Sequence, residues 1–325
     1  MTMSYLEAIR LALEESLDED PRVFLYGQDI AGQFGGAFKV TKGLSERFST
    51  RVLNAPISED AMAGIAIGAA LDGMRPVIEF QFADFASLGF NQLVNHAATT
   101  FWRTGRSCPI VVRLPVGGTV GSGPFHCQMP EAWLSHHPGL VVVSPATVAD
   151  AYWMLKDAIA CADPVIFCEH KYLYRHLKET GDPRHAEHIP LGSAVVRRVG
   201  SDCTLISYSA MLHECLSAAG MLEHEHGVAV EVVDLRCVRP LDSQTILDSV
   251  AKTGRVVMAT EAWPFGGIAA EVLAQIATEA FHLLDAPPVR ICAQDTPIPV
   301  QPDLYAAHRP HAEDIVDAVL ETVRF

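Results

Sequence analysis

The sequence contains no long apolar run, and it has no stretch of the roughly 18 uninterrupted apolar residues that a membrane-spanning helix needs. We therefore expect no membrane span. The first residues also lack a basic start followed by an apolar run, so no signal peptide is predicted. These absences together predict a cytoplasmic protein.

Paired cysteine motifs are absent as well. The eight cysteines are scattered, none forms a Cys-x-x-Cys pair, and no His-rich cluster accompanies them. Most of them lie in apolar runs, which is typical of buried free thiols. The pattern excludes a zinc signature and fits a reducing compartment.

Basic residues are scarce. Lys and Arg number 24 against 39 Asp and Glu, which gives a formal net charge of −15 and argues against binding to nucleic acids or anionic membranes. Charged residues make up only 19% of the chain. Either partners cover part of the surface, or a large core leaves a small surface-to-volume ratio. Composition alone does not separate these alternatives.

A chain of 325 residues is long for one compact core, so two domains are expected. Apolar strand-like runs alternate with helical patterns in both halves, which predicts an α/β fold with two mostly parallel sheets flanked by helices. The segment 176–188 is polar, contains Gly181 and Pro183, and interrupts the alternation. We interpret it as a linker and place the domains at 1–188 and 189–325.

The first segment with a chemical signal is Asn54–Ala70. Glu59 opens an otherwise apolar helix of small residues, whose smooth side would let another backbone, for example that of another subunit, approach closely. A carboxylate there suits a buried functional acid. It equally suits an ordinary first-turn residue that complements the helix dipole, and this second interpretation is the more common one.

The second segment is Glu79–Phe85, which leaves a predicted strand and enters a predicted helix over Asp84–Trp102. Ligands of open α/β sheets bind at the carboxyl ends of strands. The phenylalanines of this segment offer flat faces for a planar ring. Each one taken singly is equally consistent with core packing.

The third segment is Gly117–Gln128, a glycine-rich loop after another predicted strand. Its spacing matches neither a P-loop nor a dinucleotide-binding loop. His126 ends the glycine-rich part and is a candidate proton donor or charge stabiliser. A lone histidine is more often structural, so the loop by itself does not settle its role.

Taken together, these segments resemble the β subunits of the decarboxylating component of 2-oxoacid dehydrogenases, within the transketolase-like family. The resemblance extends over essentially the whole chain. It is carried by segments in matching order: Gly35–Leu44, Pro56–Glu59, Gly73–Glu79, Asn91–Ala98, Pro138–Pro145, Asp163–Phe167, Asp234–Arg236 and Arg239–Asp242. It implies a pyrimidine-binding domain of transketolase type followed by a transketolase C-terminal domain.

The resemblance also implies roles for particular residues. Glu59 matches the glutamate that hydrogen-bonds the aminopyrimidine ring of thiamine diphosphate. Phe85 matches the aromatic residue that packs on that ring, and nearby Gln81 is expected to contact the cofactor. His126 matches the histidine at the reaction centre, where it would stabilise charge or assist acyl transfer to a lipoyl carrier.

Metal sites are implied in two places. The family binds the magnesium of thiamine diphosphate through a Gly-Asp-Gly motif, which this sequence lacks. We therefore expect a separate α subunit to hold magnesium and the diphosphate, in an α2β2 heterotetramer with the active site at the α/β boundary. A potassium ion bound by the backbone near Ala158, Cys161 and Asp163 is also implied.

The resemblance leaves several alternatives open for the 2-oxoacid substrate and for the acyl acceptor. Glu79–Phe85, Met129–Ala132 and Lys171–Arg175 favour a branched-chain 2-oxoacid, with pyruvate and acetoin enzymes as alternatives. The usual His-Ser-Gln-Ser is replaced by His126–Met129, which reads His-Cys-Gln-Met, and this change leaves open a thiamine-dependent carboligase or acyl transferase. A non-catalytic β-like subunit is a third hypothesis. The leading one includes a lipoyl acyltransferase partner.

Overall fold

The computed structural model describes residues 2–118 and 121–325. Contacts divide the chain into a first unit of residues 1–118 and 126–191 and a second unit of residues 119–125 and 192–325. The sequence placed the boundary after residue 188. Residues 119 and 120 of the glycine-rich loop lie outside the described residues.

The first unit alternates strands and helices. Its elements are β1 (Thr2–Ser4), α1 (Tyr5–Glu19), β2 (Val23–Gly27), α2 (Leu44–Arg47), β3 (Val52–Asn54), α3 (Glu59–Leu71), β4 (Arg75–Glu79), α4 (Thr100–Thr104), β5 (Val111–Val116), α5 (Glu131–Ser135), β6 (Val141–Val143), α6 (Val148–Ala160), β7 (Val165–His170), α7 (Leu173–His176) and β8 (Lys178–Thr180).

Within this unit the strands pair in the order β6-β7-β5-β4-β2-β3, and every pair is parallel. β3 lies on one side of β2 and β4 on the other, so the chain changes direction across the sheet at β2. Crevices at the carboxyl ends of strands form at such a switch point. The segments that follow β2, β3 and β4 therefore meet at one edge.

Local sequence sets the starts of two helices in this unit. α1 opens with a capping box, because the hydroxyl of Ser4 accepts the amide N–H of Glu7 at 3.2 Å and the Glu7 carboxylate accepts the Ser4 amide at 2.7 Å. α3 begins at Glu59, although the Ser58 side chain makes no capping hydrogen bond. The acidic Glu59 and Asp60 in its first turn complement the helix dipole.

The long helix predicted over Asp84–Trp102 is wrong. The structure contains a 3₁₀ turn at Ala83–Ser87, a π-helical segment at Gln92–Ala97 and then α4. Close packing accounts for the interruption: a Cβ on Gly89 would lie 3.1 Å from Cζ of Phe80 and 3.2 Å from the carbonyl oxygen of Glu59. Tertiary contact here overrides the local helical pattern.

The segment 176–188, which the sequence predicted as a linker, contains a short strand. β8 pairs antiparallel with β1, and the ring of His188 stacks on Trp153 of α6 with centroids 4.6 Å apart. His188 Nε2 also lies 2.9 Å from the carboxylate of Asp157. This polar stretch packs on the outside of the first unit, which is why it lacks the apolar alternation of a core element.

The second unit has a sheet in the order β14-β13-β10-β11-β9, parallel except for β9 against β11. Its elements are β9 (Val195–Arg198), β10 (Cys203–Ser207), α8 (Met211–Met221), β11 (Val230–Asp234), β12 (Cys237–Arg239), α9 (Ser243–Thr253), β13 (Val256–Ala259), α10 (Ile268–Glu279), β14 (Val289–Ile291), α11 (Pro302–His308) and α12 (Ala312–Arg324).

The α/β class with mostly parallel sheets is thus confirmed. In the described part of the chain, every helix is too short or too polar to reach across a bilayer.

Candidate active site

Glu59 occupies the start of α3 at the carboxyl edge of the first sheet. Its side chain is buried, with 3% of the residue exposed, and its Oε1 accepts a hydrogen bond from Nε2 of Gln28 at 2.8 Å. Gln28 follows β2 directly and is equally buried. Burying a carboxylate is costly unless it is hydrogen-bonded, and the helix N-terminus adds a favourable field. The arrangement suits an acid that shares a proton with a basic nitrogen.

The aromatic segment after β4 lies against His126. The ring centroids of Phe82 and His126 are 4.4 Å apart at an angle of 79°, and those of Phe85 and His126 are 5.8 Å apart at 73°. Phe38 meets Phe82 edge-on at 5.5 Å. These edge-to-face contacts are favourable for aromatic rings. The structure therefore brings together Phe85 and His126, which the sequence predicted separately.

Charged side chains hold the backbone around His126. The ammonium group of Lys171 donates to the main-chain carbonyl oxygen of His126. The amide of Gln128 donates to Oδ1 of Asp84 at 3.3 Å. Burial raises the pKa of Asp84 above its usual value, while the positive charge of Lys171 opposes this rise.

Beneath this edge lies a buried ionic network. Nε and Nη2 of Arg113 bond both oxygens of Glu169 at 2.6 and 2.7 Å, and Nη1 of Arg113 bonds Glu79. The hydroxyl of Tyr174 donates to Glu169 at 2.6 Å. Gly36 has a φ of +76°, and a Cβ there would lie 2.5 Å from Glu79 Oε1. Burial raises the pKa of Glu79, and Arg113 opposes the rise.

This network connects to the aromatic cluster through Tyr174. Its ring lies 5.2 Å from that of Phe38, which in turn contacts Phe82. The strands β4, β5 and β7 are therefore tied together just below the segments that carry the candidate site. Gln81 lies in the same segment and is half-buried.

The residues predicted to bind potassium lie at the end of α6, away from the strand carboxyl edge. There Nη1 of Arg75 donates to the carbonyl oxygens of Ile159 at 2.7 Å and Cys161 at 3.0 Å. A potassium ion at the Cys161 carbonyl would share that oxygen with a guanidinium group. The potassium site stays a prediction.

Sequence reasoning missed Gln28, Asp84 and Lys171. Each follows a strand end, which is the one signal that pointed to them. A single polar residue at a strand end is common, however, and nothing in the linear sequence pairs Gln28 with Glu59 or Lys171 with His126.

Thiamine diphosphate, which the resemblance implies, fits what this chain offers in part. A buried carboxylate at a helix start and the phenyl rings after β4 are groups that suit an aminopyrimidine. A diphosphate needs a divalent metal, and within residues 2–118 and 121–325 no group of three His, Cys, Asp or Glu side chains is arranged to hold one. The residues fit the pyrimidine half of the cofactor.

Comparison with known families gives two matches. Residues 1–176 match the transketolase pyrimidine-binding domain, and residues 192–315 match the transketolase C-terminal domain. A solved structure described as a split-gene transketolase, inactive β4 tetramer, superposes with a TM-score of 0.83 at 25% identity and covers 99% of both chains.

Curated relatives are closer in sequence. The 2-oxoisovalerate dehydrogenase β subunit of Bacillus subtilis is 42% identical over 99% of both chains. A pyruvate dehydrogenase E1 β subunit of Oryza sativa is 41% identical over 97% of this chain and 85% of its own. An acetoin:2,6-dichlorophenolindophenol oxidoreductase β subunit of Cupriavidus necator is 40% identical over 98% and 97%. Because of this likeness along its length, the chain belongs to the transketolase-like family of 2-oxoacid and acetoin dehydrogenase β subunits.

Proposed function

We propose that this chain is the β subunit of a 2-oxoacid dehydrogenase, which decarboxylates a 2-oxoacid with thiamine diphosphate and passes the acyl group to a lipoyl carrier. The observation that carries the proposal is the buried carboxylate of Glu59, held by Gln28 at 2.8 Å at the switch point of the first sheet. Enzymes of this kind need an acid at the pyrimidine ring, and the family relationship supports this proposal.

In this mechanism Glu59 holds a proton at the ring nitrogen of the aminopyrimidine. Phe85 packs on the ring and Gln81 contacts it. When bound, thiamine diphosphate supplies the electron sink that loss of carbon dioxide from a 2-oxoacid requires. His126, which contacts the rings of Phe82 and Phe85, would donate a proton or stabilise negative charge during acyl transfer to the lipoyl arm.

The preferred substrate under this proposal is a branched-chain 2-oxoacid. The Bacillus subtilis relative is named for 2-oxoisovalerate, while the pyruvate and acetoin relatives are almost equally similar. A methylene group discriminates by only about 1–3 kcal/mol in an apolar pocket, so a few side chains decide between these substrates. Pyruvate and acetoin are the alternatives to be measured beside it.

An α subunit is proposed as the partner, in a cytoplasmic α2β2 assembly that also feeds a lipoyl acyltransferase. It would bring the metal-binding motif that this sequence lacks. α3 supports a partner surface, because Ile57 just before it and Ile65 within it are 87% and 51% exposed. The related solved structure is described as an inactive tetramer of β chains, which agrees with a β chain that needs a partner.

The test is reconstitution. This chain is co-expressed with an α chain from the same genome, thiamine diphosphate and magnesium are added, and carbon dioxide release is followed from 2-oxoisovalerate, pyruvate and 2-oxoglutarate, with dye reduction followed from acetoin. We expect activity only in the mixture, with 2-oxoisovalerate preferred. Turnover by this chain alone would contradict the need for an α subunit.

Two further measurements address the alternatives. Transfer of the acyl group to a lipoyl domain supports the dehydrogenase, whereas decarboxylation without such transfer favours a carboligase or acyl transferase.

Melting temperatures in potassium and sodium chloride test the potassium site. A rise specific to potassium supports it, and equal melting temperatures in the two salts would contradict it.

A further inference from the structure

Two buried charged side chains form hydrogen bonds with the main chain at His126 and Gln128. Lys171, which follows β7 directly, donates to its carbonyl oxygen, and Asp84, in the 3₁₀ turn after β4, accepts the amide of Gln128 at 3.3 Å. Both side chains are nearly inaccessible, with 4% of Lys171 and 6% of Asp84 exposed. We call the Asp84–Lys171 pair the His126 clamp.

The same turn also places the rings that contact the imidazole. Phe82 and Phe85 flank Asp84 in sequence, and both meet His126 edge-on. The ammonium group of Lys171 lies 5.5 Å from the centroid of the Phe82 ring. One short segment therefore restrains both the side chain and the following main chain of His126.

Burying these charges is energetically unfavourable, which argues against a purely structural purpose. Charged side chains taken out of water are costly unless close partners compensate them. In the part of the chain that the structure describes, Oδ2 of Asp84 accepts no hydrogen bond. A buried carboxylate oxygen without a donor costs free energy. A role of Asp84 and Lys171 in the reaction would explain why the chain keeps this unfavourable burial.

We propose that Asp84 and Lys171 are positioning residues that hold His126 in its reactive place on the glycine-rich loop. This inference rests on the proposed function of His126. A loop with several glycines samples many backbone conformations, and a displacement of about 1 Å at a reacting group can cost up to about 10²-fold in rate. The clamp restricts the loop at the residue whose position matters.

The first experiment compares variants in the reconstituted α/β complex. Asp84→Ala removes the acceptor for Gln128, Asp84→Asn retains an acceptor oxygen without the charge, and Lys171→Met removes the donor. Ser87→Ala is the matched control: it removes a hydrogen bond from an exposed hydroxyl to the main-chain carbonyl oxygen of Asp84 at 2.9 Å, while the Asp84 carboxylate is retained. We expect Asp84→Ala and Lys171→Met to lower kcat for lipoyl acylation by about 10- to 100-fold with KM nearly unchanged. Asp84→Asn should recover most of the loss.

A double-mutant cycle with His126→Ala separates positioning from an independent role. If the clamp acts through His126, Asp84→Ala causes no further loss once His126 is removed. If the losses of kcat caused by Asp84→Ala and His126→Ala multiplied in the double variant, the proposal would be overturned. Melting temperatures identify variants that fail to fold, and Lys171→Met then carries the same cycle if Asp84→Ala does not fold.

Hydrogen exchange measured by mass spectrometry tests the clamp without any activity. The amide of Gln128 should exchange faster in Asp84→Ala than in wild type, Asp84→Asn or Ser87→Ala, because its acceptor has been removed. Unchanged exchange would overturn the clamp. If the complex decarboxylates no 2-oxoacid, the proposed function fails, while faster exchange would still establish the clamp as a restraint on the loop.

Discussion

The side-chain nitrogen Nε2 of Gln28, directly after β2, lies 2.8 Å from Oε1 of Glu59 at the start of α3 and donates a hydrogen bond to it. Both residues are almost completely buried. Gln28 compensates for part of the lost hydration of the Glu59 carboxylate. The first two predictions follow from this contact.

Replacing Glu59 with Gln preserves the volume and an acceptor oxygen for Gln28 but removes the acid. We expect kcat of the reconstituted complex to fall by about 10²-fold or more, since this is the scale of general acid–base catalysis. The melting temperature should remain close to that of wild type. Retained activity in Glu59→Gln would show that the catalytic role is wrong.

Replacing Gln28 with Leu leaves the buried carboxylate without its donor. An unsatisfied buried group costs about 1–3 kcal/mol, so the free energy of unfolding should fall by that amount in urea titration. The double variant Gln28→Leu with Glu59→Leu removes both polar partners. It should be less destabilised than the sum of the two single changes, and strict additivity would contradict the contact.

Replacing Arg113 with Met leaves the carboxylates of Glu79 and Glu169 buried without their shared partner. Breaking a buried ion pair in this way typically costs about 3–5 kcal/mol. We expect a clear fall in the melting temperature, or failure to fold. Arg22→Met is the control, because Arg22 pairs with Asp20 at the surface with 56% of its side chain exposed. If Arg113→Met and Arg22→Met lowered the melting temperature equally, the buried network would not be important for stability.

His308 predicts a pH dependence of stability. Burial lowers the pKa of His308 below its usual value of 6.5, and Glu261 opposes this by raising it. Below pH 6.5 the unfolded chain therefore binds more protons at this position than the folded chain does, and stability rises with pH there. The contribution is complete above pH 6.5 and is lost as the pH falls below that value.

The measurement compares wild type with His308→Gln by urea unfolding at several pH values from neutral to mildly acidic. The difference in free energy of unfolding should change in favour of the variant as the pH decreases. A constant difference across this range would mean that His308 has the same proton affinity in the folded and unfolded chains. The hydroxyl of Thr296 lies 3.3 Å from Nδ1 of His308, and it can also form a hydrogen bond with a glutamine at this position.

The sequence by itself determined the alternation of strands and helices. The strands of a parallel sheet are buried on both faces, so they are recognisable as continuous apolar runs such as Val111–Val116. The sequence also predicted the start of α3 at Glu59, where an acidic first turn complements the helix dipole. The start of α6 is likewise local, because the Thr147 side chain accepts a hydrogen bond from the amide of Asp150. The family resemblance came from short segments in order along the chain.

Tertiary structure decided the rest. The 3₁₀ and π turns between Ala83 and Ala97 arise from close packing at Gly89, which no local pattern encodes. The contacts of Gln28 with Glu59 and of Lys171 with His126 join residues 31 and 45 positions apart. They form because neighbouring parallel strands end at the same edge of a sheet, and the order of those strands is a property of the folded chain alone.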